Sequence, residues 1–152
     1  AITWKSVLPR TQLNSAVRAL GSLLHGTRSD AVARNAEFRV VYDLDYDRYW
    51  VSSPFKIGGG LALEEEERHI YNETTLPAGI TFTEIVVDGR PFNDGQVQVR
   101  FSPMGTASDH SIQLRQEIFE RDFTIEVLAL TGLIRFHKGI WAREIPRDGA
   151  FD

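Results

Sequence analysis

Gln12-Leu13-Asn14-Ser15-Ala16-Val17-Arg18-Ala19-Leu20-Gly21-Ser22-Leu23-Leu24 is the stretch whose reading decides the fold. Leu13, Ala16, Val17, Leu20, Leu23, Leu24 and, further on, Ala31 recur at steps of three and four or their sums, which puts them on one stripe of a helix. Gln12, Ser15, Arg18, Ser22 and Ser29 fall on the opposite side. The spacing predicts an amphipathic helix from about Gln12 to Asn35, capped by Thr11 or Asn14 with Pro9 just before it. Gly21 and Gly26 each weaken it by up to about 1 kcal/mol relative to Ala, so the helix needs a sheet to lean on.

Beyond Asn35 the period changes to two. Phe38, Val40 and Tyr42 alternate with Arg39, Val41 and Asp43, and Tyr49-Trp50-Val51 resumes after Leu44 to Arg48, which reads as a hairpin. Pro54 and Gly58-Gly59-Gly60 break the pattern and open a loop, expected to be mobile, that runs to Glu67. A strand from Thr81 to Val87 ends at the turn pair Asp88-Gly89. Val97, Val99 and Phe101 alternate again, Ser111 to Glu117 follows, and Phe123, Ile125, Val127 and Ala129 lead into Thr131-Gly132, where a tight hairpin is expected to return Leu133 to His137. The pattern predicts seven or eight strands and no second long helix. With no βαβ rhythm, the class is α+β, an N-terminal amphipathic helix packed on antiparallel sheet, in a single domain spanning residues 1–152 with its β-rich region over 36–152.

A chain of 152 residues is long enough to bury roughly 70% of the surface its unfolded state exposes. It contains no Cys, which removes disulfides, thiolate metal sites and cysteine nucleophiles together. A net charge of −4 works against general affinity for phosphate backbones, so nucleic acid is not an expected partner. No stretch approaches the roughly eighteen apolar residues that cross a bilayer, and the start at Ala1 lacks the pattern of a secretory signal.

Asp43-Leu44-Asp45-Tyr46-Asp47 has the alternation of oxygen ligands that opens a calcium loop. Arg48 and Pro54 stand where that loop needs its turn Gly and its closing Glu, so an acidic hairpin tip is expected. Asp109-His110-Ser111 names the members of a hydrolytic triad, but neighbouring strand residues point to opposite faces and no G-x-S-x-G elbow occurs; a polar loop is expected. His25, His69 and His137 lack zinc spacing and read as isolated surface residues. Glu64 to Glu67 reads as solvated loop charge. The three Trp, nine Phe and four Tyr read as core residues of the strands. No catalytic, cofactor-binding or metal-binding residue is assigned.

Five stretches in order resemble the GspH/FimT family, the minor pseudopilins of type II secretion and related minor pilins of type IV pili. They are Ala16-Val17-Arg18-Ala19-Leu20 with Thr27 to Asn35, then Leu76-Pro77-Ala78-Gly79-Ile80, Phe101-Ser102-Pro103-Met104-Gly105, Ile125-Glu126-Val127 and Thr131-Gly132-Leu133-Ile134. Pro77, Gly79, Pro103, Gly105, Thr131 and Gly132 are the family's turn positions. The resemblance implies a type IV pilin-like fold, with residues 1–35 as the remnant of a helical stalk, and a structural subunit without enzymatic activity or cofactor. It further implies an anchor helix before Ala1, a periplasmic domain attached to the inner membrane of a Gram-negative cell, and other pseudopilins or pilins as partners, with secreted proteins beside them. Val7, Leu8, Leu13, Val17 and Leu20 are then the expected helix assembly interface, while the helix from Leu20 to Ala31 is expected on the sheet. Alternatives are a type IV pilus minor pilin, including a DNA-capturing one, and a free-standing β-rich ligand-binding domain.

Overall fold

The computed structural model describes residues 9–142, with side chains from Thr11 onward. Helix α1 runs Pro9–Ala33, so Thr11 and Asn14 lie inside it rather than capping it. At the other end Asn35 takes φ 50°, and the Ala36 N–H reaches the Ala31 carbonyl at 3.1 Å. That left-handed closure uses Asn, which after Gly accepts the conformation most readily.

Nine strands follow among the described residues: β1 Phe38–Asp43, β2 Arg48–Ser52, β3 Ile70–Thr75, β4 Ile80–Val87, β5 Arg90–Phe92, β6 Gln96–Phe101, β7 His110–Gln116, β8 Arg121–Val127 and β9 Ile134–Lys138. They form two sheets, ordered β3-β2-β1-β6 and β5-β4-β7-β8-β9, with every strand pair antiparallel. Periodicity misses two strands: β3, mostly exposed and broken by a register shift with Asn72 at φ 55°, and β5, three residues at a sheet edge, where Pro91 is tolerated. In β4 a register shift between Phe82 and Glu84 turns Phe82 and Ile85 to the same face despite their odd spacing. The Thr131-Gly132 connection is a six-residue loop, not a tight hairpin: the Leu128 N–H bonds the Leu133 carbonyl at 2.9 Å and the Gly132 N–H bonds the Leu128 carbonyl at 2.8 Å. The loop after Pro54 is tied down by the Ala62 N–H on the Pro54 carbonyl and by a Lys56–Glu67 ion pair at 3.1 Å.

Helix and sheets share one apolar core. Tyr42, Tyr49, Phe38 and Phe101 from the first sheet meet Ile85, Ile112 and Ile125 from the second. The last three stand side by side in register, and Phe136 extends the row on β9. Phe136 closes against the helix at Gly21, where a Cβ would lie 2.8 Å from its ring; this glycine makes room for a neighbour.

The burial of α1 corrects the expected interface. Leu13 and Leu20 are 0% exposed and Val17 3%, all within this core. A stripe that the domain's own sheets already cover has no apolar area left for another subunit. Val7 and Leu8 lie outside the described residues. Leu24 and Ala31 are likewise 0% exposed, so the C-terminal half of the helix does pack on the sheets.

Candidate functional site

Arg28 stands at the meeting point of three of the quoted stretches. Its Nε donates to the Gly105 carbonyl at 3.0 Å across 77 residues of sequence. Gly105, at φ +85°, follows a turn in which the Gly105 N–H bonds the Ser102 carbonyl and Pro103 fills the position whose φ a ring pre-sets. Gly132, at φ +66°, packs under the same guanidinium: a Cβ there would come within 2.7 Å of Arg28 Cδ, Arg28 Nε and the Gly105 carbonyl oxygen. Thr131 Oγ1 accepts from the Leu133 N–H at 3.2 Å and shapes the loop's exit. Arg28 therefore bolts the helix to two loops, which display Met104, Leu130 and Leu133 to solvent. The junction cannot be read from local pattern, where Arg28 is only a cation near the end of a helix and Gly105 and Gly132 are turn glycines far along the chain.

Gly132→Ala is expected to cost about 2 kcal/mol, the sum of a left-handed φ and a clash with backbone that no side chain can relieve. The same change at Gly58, φ +90° with nothing within 4 Å, carries only the conformational part. Chemical denaturation of the two variants tests this; equal losses would show that the Arg28 junction contributes nothing specific.

Pro77 and Gly79 lie elsewhere, at the entry to β4. The Ile80 N–H bonds the Pro77 carbonyl at 3.0 Å, and Gly79 supplies the φ of +87° that the third position of such a turn requires. Asp47 holds the same corner from outside: its Oδ1 accepts from the Phe82 N–H at 3.0 Å. Asp43 Oδ1 accepts from the N–H groups of Asp45 and Tyr46, and its Oδ2 from Arg48 Nε at 3.1 Å. Asp45 Oδ1 accepts from the Gly95 N–H. The three carboxylates thus face three different sets of donors and shape a hairpin tip.

His110 is not in an exposed loop. It begins β7 and is 3% exposed, with Nδ1 at 2.8 Å from the Ser108 carbonyl and Nε2 at 3.0 Å from the Tyr42 hydroxyl. A carbonyl only accepts, so Nδ1 carries the proton and Nε2 accepts from Tyr42. Burial pushes the imidazole pKa down to about 4, partly offset by the Ser108 carbonyl and by Asp109. The ring ties the two sheets together as a neutral group. His137 is half-buried and pairs with Glu126 at 3.3 Å; His69 stacks on Tyr71, whose hydroxyl donates to Asp30 Oδ2 at 3.1 Å.

Two exposed surfaces stand out among the described residues. On α1 the side away from the core shows Ser15, Ala19, Ser22, Gly26 and Ser29, alternately four and three residues apart, with Arg18 and His25 beside them. Small side chains at that spacing let another backbone come close. On the second sheet, the face away from the core carries a groove of about 360 Å³ beside Trp141.

One helix laid along antiparallel sheets that share its core is the architecture of a type IV pilin-like subunit. The chain belongs to the family of the type II transport protein GspH, whose sequence pattern matches residues 16–131. No curated protein matches by sequence. Among solved structures, the minor pseudopilin EpsH from the type II secretion system of Vibrio cholerae is similar at TM-score 0.58 and 16% identity, over 81% of this chain and 93% of that one. The type IV minor pilin FimU of Pseudomonas aeruginosa is similar at TM-score 0.58 and 16% identity, over 84% and 90%. At such identity the likeness is one of fold.

Proposed function

We propose that the chain is a minor pseudopilin, a non-enzymatic structural subunit of the short filament of a type II secretion system, held on the periplasmic side of a Gram-negative inner membrane before assembly. The family match over residues 16–131 carries this reading. Its partners are other pseudopilins, with secreted proteins beyond them, and the reading requires no cofactor, metal or catalytic residue. The helix contributes to assembly through its small-residue face at Ser15, Ala19, Ser22 and Gly26, since its apolar stripe is taken up by the core.

Ala19→Arg with Ser22→Glu is expected to leave stability within about 0.5 kcal/mol of the parent, as exposed substitutions usually do. Co-purification with the other pseudopilins should nevertheless fall by an order of magnitude or more, because a long side chain holds a neighbouring helix off. Undiminished co-purification would remove this helix face from the assembly.

A second reading, a type IV pilus minor pilin, draws on the equal likeness to FimU. Deleting the gene separates the two: loss of exoprotein secretion supports the pseudopilin, and loss of pili with secretion intact supports the pilin. The net charge of −4 counts against a DNA-capturing version.

A further inference from the structure

The groove on the outer face of the second sheet has a definite construction. Its floor is two cross-strand rows, Glu84–Gln113–Thr124 and Val86–Ser111–Glu126, running over β4, β7 and β8. Residues Ile140 to Ala142, after β9, rise as its wall. That wall is fixed. The Gly139 N–H bonds the Asp122 carbonyl, Thr124 Oγ1 donates to the Gly139 carbonyl at 2.9 Å, and the Trp141 N–H donates to Thr124 Oγ1 at 3.2 Å. The Trp141 indole lies flat on the His137 ring, 4.1 Å between centroids and 2° between planes, and His137 is itself held by the buried carboxylate of Glu126. The site is therefore formed before anything enters it, which spares an occupant the cost of ordering it.

The lining sorts by charge. Glu84, Asp109 and Glu126 contribute carboxylates, Gln113 and Ser111 add neutral polar groups, and among the described residues no Lys or Arg lines the groove. Arg135 stands opposite Glu126 on β9 but is exposed and outside the lining. A volume of about 360 Å³ suits one or two side chains and is too small for a folded surface. Carboxylates beside an indole match a guanidinium or ammonium group, which pairs with the acids and is drawn to the aromatic face.

We propose that this groove binds an Arg or Lys side chain presented by an extended segment of a partner protein. Glu84, on the floor of the groove, supplies the attraction, and Trp141 packs against the stem or head of the entering side chain. The inference stands on the groove alone and holds whether the filament serves secretion or a pilus.

The test is titration of the full 152-residue chain, followed by amide and indole resonances, with the capped pentapeptide Gly-Val-Arg-Val-Gly and its Glu counterpart. The Arg peptide is expected to shift Glu84, Ser111, Gln113 and the Trp141 indole N–H, and the Glu peptide to leave them in place. Glu84→Gln should weaken binding about tenfold and Glu84→Lys abolish it, with melting temperatures unchanged and affinity falling as salt rises. No shift at about 5 mM Arg peptide, or binding unaltered in Glu84→Lys, overturns the proposal. So does a neutral oligosaccharide, N-acetylchitotriose, perturbing these resonances in place of the peptide. A shift of the same resonances by Arg143→Ser with Arg147→Ser, without peptide, would assign the groove to the chain's own C-terminal residues and likewise overturn it.

Discussion

Leu20→Asp is expected to unfold the domain, not merely to detach it from a filament. Leu20 has no exposed surface and belongs to the core that α1 shares with the sheets. Removing a buried Leu costs about 2 to 5 kcal/mol by itself. An aspartate in its place must also leave water unpaired or take up a proton, which adds several kcal/mol more. The sum reaches the whole stability of a typical domain, about 5 to 15 kcal/mol. Far-UV and near-UV circular dichroism at 25 °C should show the native signal lost, and Leu13→Asp should behave alike. Ala19→Arg, one position from Leu20 on the exposed side, should melt as the parent does. A folded Leu20→Asp protein that fails only in assembly would restore the stripe as an interface and contradict the packing described above.

Stability should fall by about 3 kcal/mol as pH drops from about 6.5 to about 4, through His110 alone. Its pKa is lowered in the fold, from the ordinary 6.5 to about 4, because burial penalises the imidazolium by more than the Ser108 carbonyl and the charges of Asp109 and Asp88 favour it. Between those values the unfolded chain binds a proton that the folded chain refuses, so acid favours unfolding. Above about 6.5 both states are neutral and the contribution is fully present; below about 4 both are charged and it is gone. Urea titrations at pH 7, 5.5 and 4.5 on the parent and on His110→Gln measure it. The variant should start less stable at pH 7 yet lose much less on acidification. Parallel losses in both proteins would mean that carboxylates, not His110, govern the acid side.

Much of this architecture was legible before any coordinates. Steps of three and four from Leu13 to Leu24 specify a buried stripe because a helix turns every 3.6 residues. Alternation in Phe38-Val40-Tyr42 and Val97-Val99-Phe101 specifies strands because successive side chains point to opposite faces. Where the pattern failed, a local device interrupted the period. The register shift after Phe82 moved Ile85 to the core side, and the three residues of β5 are too few to show a period.

The site was less legible, and for a different reason. That Leu13, Val17 and Leu20 are apolar says only that something must cover them; it does not say whether a sheet of the same chain or a neighbour's helix does so. Likewise Arg28, Gly105 and Gly132 are separate turn and helix signals until the fold brings Gly105, 77 residues on, within hydrogen-bond reach of Arg28 and packs Gly132 beneath it. His110 read as loop chemistry because its two partners, Tyr42 and Ser108, come one from the other sheet and one from its own approach to β7.

Local sequence by itself therefore determined the elements: the helix and its apolar side, most of the strands, and the glycine and proline turns, all set by short-range steric and solvation preferences. Tertiary structure alone decided which surfaces are spent and which are free. It buried the helix stripe, joined two glycine turns to the helix at Arg28, left the small-residue helix face exposed and shaped the groove beside Trp141. Those outcomes depend on contacts between residues far apart in the chain, and no local preference encodes them.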